Sequence, residues 1–103
     1  MDSRYKTLLV IIIMGVMNVY SQALYIPNHA DSQNTGESID SLVLGRKLYV
    51  NNCASCHTLH KSEEFTKNEW SKVMLIMQKK AKSNNADTQL ILKYLKARSK
   101  QEK

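Results

Sequence analysis

The chain has 103 residues, with 15 Lys+Arg against 9 Asp+Glu and a formal net charge of +6. That length leaves room for one domain, and one Trp and one Phe give too little basic and aromatic interleaving for a nucleic-acid binder. The basic balance fits a solvated surface, or attraction to an acidic partner or an anionic membrane face.

At the N-terminus, Arg4 and Lys6 precede an apolar run from Leu8 to Met17, followed by Asn18 and then Ser21, Gln22 and Ala23. A basic start, a short apolar centre and small residues at −3 and −1 are the order of a secretory signal over residues 1–23. Cleavage fits after Ala23, and nearly as well after Ser21. The run falls short of the roughly 20 residues needed to span a bilayer. An uncleaved anchor is the alternative, with Val19 and Tyr20 extending the run. Removal of residues 1–23 takes Asp2, Arg4 and Lys6 and leaves a net charge of +5.

Residues 24–40 hold the only Pro and a cluster of Ser, Asn, Asp and Gly, and read as a flexible polar linker. A first helix is expected from Ser41, capped by Asp40, with Leu44, Leu48 and Tyr49 on one face. Gly45 lies inside it at a cost of about 1 kcal/mol relative to Ala, tolerable on a surface or useful at a helix crossing. The first helix leads into Cys53-Ala54-Ser55-Cys56-His57, which contains both cysteines of the chain.

Thr66-Lys67-Asn68-Glu69 has the form of a capping box and announces a second helix. Trp70, Val73, Met74, Met77 and Ala81 then recur at spacings of three and four, leaving Lys72, Lys79, Lys80 and Lys82 outside the apolar face. Ser83-Asn84-Asn85 interrupts the pattern. A third helix follows from a cap at Asp87 through Leu90, Ile91, Tyr94 and Leu95 to Ala97, and residues 98–103 read as a frayed basic tail. No segment alternates as a strand does, so the fold class is all-α. A folded part of roughly 60 residues has too little core to be comfortably stable without a disulfide, metal or cofactor.

Cys-x-x-Cys-His is the spacing that attaches a c-type haem. Two thiols one helical turn apart can bond the two vinyl groups of one porphyrin, and His57 then serves as the proximal iron ligand. Rival chemistries for the pair are weaker. A thioredoxin-like dithiol needs a βαβ frame, a disulfide across so short a ring contributes little stability, and zinc on Cys53, Cys56, His57 and His60 would crowd four ligands into eight residues. On the other side of the iron, Met74 and Met77 are candidates, one turn apart on the second helix. Both could equally be core methionines. His60 follows the motif too closely to reach round the porphyrin, and His29 belongs to the polar segment. Glu63 and Glu64 are adjacent acids in a polar loop and read as solvated.

These residues resemble small single-haem, class I-type bacterial cytochrome c domains over about residues 41–97. Gly45, Tyr49 and Cys53 to His57 match the family's first helix and haem motif, and Ile91-Leu92-Lys93-Tyr94-Leu95 matches its last helix. The resemblance implies about three helices wrapped around one covalently attached haem c, with Gly45 and Tyr94 packed against each other. A bacterial subset is similar over Thr66, Glu69, Trp70, Val73 and Met77, which implies Met77 rather than Met74 as distal ligand. The chain lacks the Pro-containing, Gly-rich loop found around that ligand in better-known cytochromes.

The expected function is electron transfer on haem c rather than catalysis by protein groups. The expected partners are an oxidase, reductase or dehydrogenase, steered by Lys72, Lys79, Lys80 and Lys82 if acidic, in the bacterial periplasm and close to a membrane. A gas-binding or sensor module with an open sixth position is the alternative, followed by a zinc or dithiol protein.

Overall fold

The computed structural model describes residues 24–53 and 59–102. The expected signal at 1–23, and Cys56 and His57 of the motif, lie outside the described residues. Among the described residues four α-helices form: α1 (His29–Thr35), α2 (Ile39–Cys53), α3 (Lys67–Ala81) and α4 (Asn85–Ala97), with a 3-10 turn at Ser62–Glu64. Among the described residues there is no strand, only an isolated parallel bridge between Thr66 and Lys100. The all-α expectation holds.

Each helix starts where a side chain can satisfy an amide that lacks an intrahelical partner. Thr66 Oγ1 accepts from Glu69 N at 3.2 Å, while Glu69 Oε1 accepts from Thr66 N at 3.0 Å, the reciprocal box that the sequence announces. The last helix is capped by Asn84, whose Oδ1 accepts from Asp87 N at 2.7 Å, so Asp87 sits in the first turn instead of capping it. The helix leading to the cysteines likewise starts earlier than Ser41. Ser38 Oγ accepts from Ser41 N at 3.1 Å and Ser38 O from Leu42 N at 3.1 Å.

The principal packing is α2 against α4. Leu42, Gly45, Tyr49 and Cys53 form the buried face of α2, and Thr88, Ile91, Tyr94 and Leu95 that of α4. Leu44, expected on the inner face, is exposed, and fully buried Leu42 takes that role. At the crossing, a Cβ built on Gly45 would stand 2.2 Å from the Leu90 carbonyl oxygen and 2.9 Å from Tyr94 Cβ. Gly45 is therefore a contact point of two backbones, and the Gly45–Tyr94 pairing implied by the resemblance is present. Trp70 and Met74 of α3 close the same core.

Residues 24–40 are not a flexible linker. Tyr25 stacks on Tyr94 with ring centroids 4.4 Å apart, and the two exchange hydrogen bonds: Tyr25 OH donates to the Tyr94 carbonyl, and Tyr94 OH to the Tyr25 carbonyl at 2.8 Å. Arg46 Nε also donates to Tyr25 O, at 3.1 Å. Beyond this clasp, α1 carries its own capping box between Asn28 and Asp31 and ends on Gly36 in the left-handed region. Asp31 is buried and accepts both Arg98 Nε at 2.8 Å and Arg98 Nη2 at 3.0 Å. The guanidinium also lies 4.3 Å from the Tyr25 ring centroid. A bidentate pair of this kind is short, directional and charge-assisted.

The frayed tail needs the same correction. Lys100 N donates to Phe65 O at 2.9 Å, and Glu102 Oε1 accepts from Asn68 N at 3.1 Å. The tail therefore ties down the start of α3 by satisfying amides and carbonyls that the helix itself cannot.

Candidate haem site

A cavity of about 190 Å³ opens between the end of α2, the segment after it and the inner face of α3. From α2 come Tyr49 and Cys53, from the connecting segment Leu59, His60 and Phe65, and from α3 Trp70, Val73, Met74 and Met77. Cys53, the last residue of α2, is buried at 3% exposure. The wall is almost wholly apolar, with one thiol on one side and two thioethers on another.

The aromatic residues hold this wall together. Tyr49 and Trp70 meet edge to face at 6.3 Å, and Phe65 and Trp70 do so at 4.9 Å, arrangements favoured by the ring quadrupoles. Each polar tip has a backbone partner. Trp70 Nε1 donates to Ser62 O at 2.8 Å and pins the 3-10 turn. Tyr49 OH donates to His60 O at 2.8 Å, tying the end of α2 to the segment that precedes α3. Burial, and then the neighbouring Cys53, raise the Tyr49 phenol above its ordinary range, so it stays neutral and remains a donor. Tyr94, behind it, is pushed up to about 12 by burial.

His60 is exposed, with Nδ1 3.3 Å from Glu64 Oε1, and its ring meets Phe65 at 5.3 Å. It edges the cavity as expected and does not cross it. Glu64 is more than a solvated acid: its carboxylate accepts from Lys61 N, which holds it below the usual glutamate range. His29 is exposed on α1. Leu59 and Phe65 carry no signal in the sequence because they stand singly in a polar stretch, where no helical period marks them. A larger groove of about 680 Å³, lined by Lys67, Lys93, Lys96, Lys100, Glu37 and Glu102 among others, shares no residue with this cavity. It has no thiol or thioether, and Lys93 is paired there with Glu37 at 3.2 Å.

The donor set and the lining decide whether a haem fits: an apolar slot beside a motif cysteine, faced by two methionines, meets the needs of an apolar macrocycle with an axial sulfur ligand. A family model described as dihaem cytochrome c matches residues 49–103. The chain belongs to the dihaem cytochrome c family. It is accordingly a haem c electron-transfer protein, and the match covers the whole cavity wall from Tyr49 to Met77. The resemblance drawn from the motifs pointed to single-haem domains, whereas the family is described as dihaem. This cytochrome has two cysteines and one Cys-x-x-Cys-His. No curated protein and no solved structure matches the chain. The arm at 24–40 and most of α2 precede the family match, so the clasp on Tyr94 is built from residues outside it.

Proposed function

We propose that the chain carries single electrons on one haem c, linked through Cys53 and Cys56, with His57 as proximal ligand and Met77 as distal ligand. The observation that carries this reading is the apolar cavity joining Cys53 to the methionine face of α3. Met74 is 2% exposed and belongs to the core cluster with Trp70, Tyr94 and Leu95, so its thioether serves packing. Met77 is half-buried at the cavity wall and has less packing to give up, which supports it as the ligand. Haem, when bound, would supply an iron that alternates between ferric and ferrous, and a thioether ligand from Met77 would raise its potential. The chain's own part is to exclude water with Phe65, Trp70 and Val73 and to hold the segment after the motif through Tyr49 and Trp70.

One Cys-x-x-Cys-His supports one haem per chain. The N-terminal basic and apolar sequence supports export to the periplasm, and the net positive charge supports oxidase, reductase or dehydrogenase partners of acidic surface. Haem staining of a denaturing gel tests the attachment, because only thioether-linked haem survives; a colourless band from cells competent in haem attachment would sink it. Visible spectra of Met77→Ala and Met74→Ala then test the ligand. Loss of low-spin methionine coordination is expected in the first alone, and an unchanged Met77→Ala spectrum transfers the role.

A further inference from the structure

We propose that the outer face of α3 docks on an anionic lipid surface. Leu75 and Ile76 are 67% and 59% exposed, adjacent large aliphatic side chains on the side of the helix turned away from buried Met74. Lys72 lies one turn before them, and Lys79 and Lys80 one turn after, all three exposed. Lys82, also exposed, extends the same charge past the helix end. The only acid on α3 is Glu69, and its carboxylate is engaged at the N-terminal cap. Among the described residues none of these lysines has an ion-pair partner.

Residue type separates a lipid surface from a protein partner. Protein interface cores are depleted in Lys, and their hot spots are enriched in Trp, Tyr and Arg. From Lys72 to Lys80 the exposed residues of α3 include none of those three and are Leu75, Ile76 and three lysines. Lysine is a flexible point charge whose methylene stem lies along apolar surface while its ammonium reaches outward. An anionic bilayer asks for that combination: aliphatic side chains at the acyl boundary and mobile cations among the phosphates. The inference goes beyond the electron-carrier reading and does not depend on haem occupancy.

The test is co-sedimentation of the full chain with phosphatidylcholine vesicles and with vesicles containing phosphatidylglycerol, with total protein read on a gel so that haem loading is irrelevant. Each lysine near an anionic surface contributes about fivefold in partitioning. Preference for the anionic vesicles is expected, reduced by salt and lowered at least about tenfold by K72Q/K79Q/K80Q. A comparable loss is expected for L75S/I76S, with far-UV circular dichroism unchanged because both side chains are exposed. Equal binding to neutral vesicles, or binding that either set of substitutions leaves unchanged, would overturn the proposal and assign adhesion to the apolar run at 8–17. Failure to bind vesicles, with Leu75- and Ile76-dependent binding to a purified acidic protein, would overturn it in favour of a protein partner.

Discussion

Replacing Gly45 by Ala places a methyl group 2.2 Å from the Leu90 carbonyl oxygen, 2.9 Å from its carbon and 2.9 Å from Tyr94 Cβ. Ordinary contact at about 3.5 Å requires α2 and α4 to part by roughly an ångström, and neither partner is the movable end of a side chain. That separation falls on the most extensive helix packing among the described residues, where Tyr94 also holds the N-terminal arm. Overpacking costs typically 1–3 kcal/mol, and backbone opposition puts this case at about 3 kcal/mol or more. Alanine returns about 1 kcal/mol of helix propensity, leaving a net loss of about 2 kcal/mol or more. For a domain this size the midpoint of thermal unfolding should fall by about 8–16 °C. Circular dichroism melts of the holoprotein measure it, with Gly36→Ala as control. Gly36 has φ 76° and nothing within 4 Å of a new Cβ, so only the left-handed strain of about 1–2 kcal/mol applies there. A Gly45→Ala protein as stable as the parent would show that the two helices do not cross at this distance.

Met74→Ala should cost about 2–4 kcal/mol, because a nearly fully buried side chain leaves a cavity in the core, while low-spin methionine coordination persists. A denaturant titration and a visible spectrum of the same sample check both halves. Tyr49→Phe removes the bond to His60 O but keeps the ring, so a loss of about 1 kcal/mol is expected from the shift in denaturation midpoint. A loss above about 3 kcal/mol would mean that the hydroxyl, not the ring, organises the site. The hydrogen bond from Arg98 holds the Asp31 carboxyl below its usual range. A depressed folded-state value means that its stabilisation is complete above the ordinary aspartate pKa of about 3.9 and is lost as pH falls through the folded value. Asp31→Asn should therefore lower stability at neutral pH by about 1–3 kcal/mol and flatten this acid-side loss, seen in melts at several pH values. An acid dependence identical to the parent's would place the titration elsewhere.

The features legible in the amino-acid sequence are those set by local rules. A capping box is a contact across three residues, so Thr66 and Glu69 announce α3 at its true start. Helical period sorts Trp70, Val73, Met74 and Met77 onto one side, and the cavity is where they converge. Helix boundaries are harder to read, since Ser38 and Asn84 compete with the neighbouring Asp40 and Asp87 for the same capping role. Leu44 falls on the wrong face for a different reason: the face that packs on α4 is centred on Gly45, and Leu42, not Leu44, lies in register with Gly45, Tyr49 and Cys53.

By itself the amino-acid order determined the Cys-x-x-Cys-His spacing at Cys53, Cys56 and His57, and the helices whose caps and periods are local. Tertiary structure decided what becomes of the polar ends. Asp31 with Arg98, and Tyr25 with Tyr94, are partners across 67 and 69 positions, and no window of sequence contains both members of either pair. A segment rich in Asn, Asp and Ser reads as solvated because most such segments bury too little apolar surface to order themselves. Here the order comes from the far side of the fold: an arginine that neutralises the buried aspartate and a tyrosine carbonyl and ring that satisfy the arm's own tyrosine.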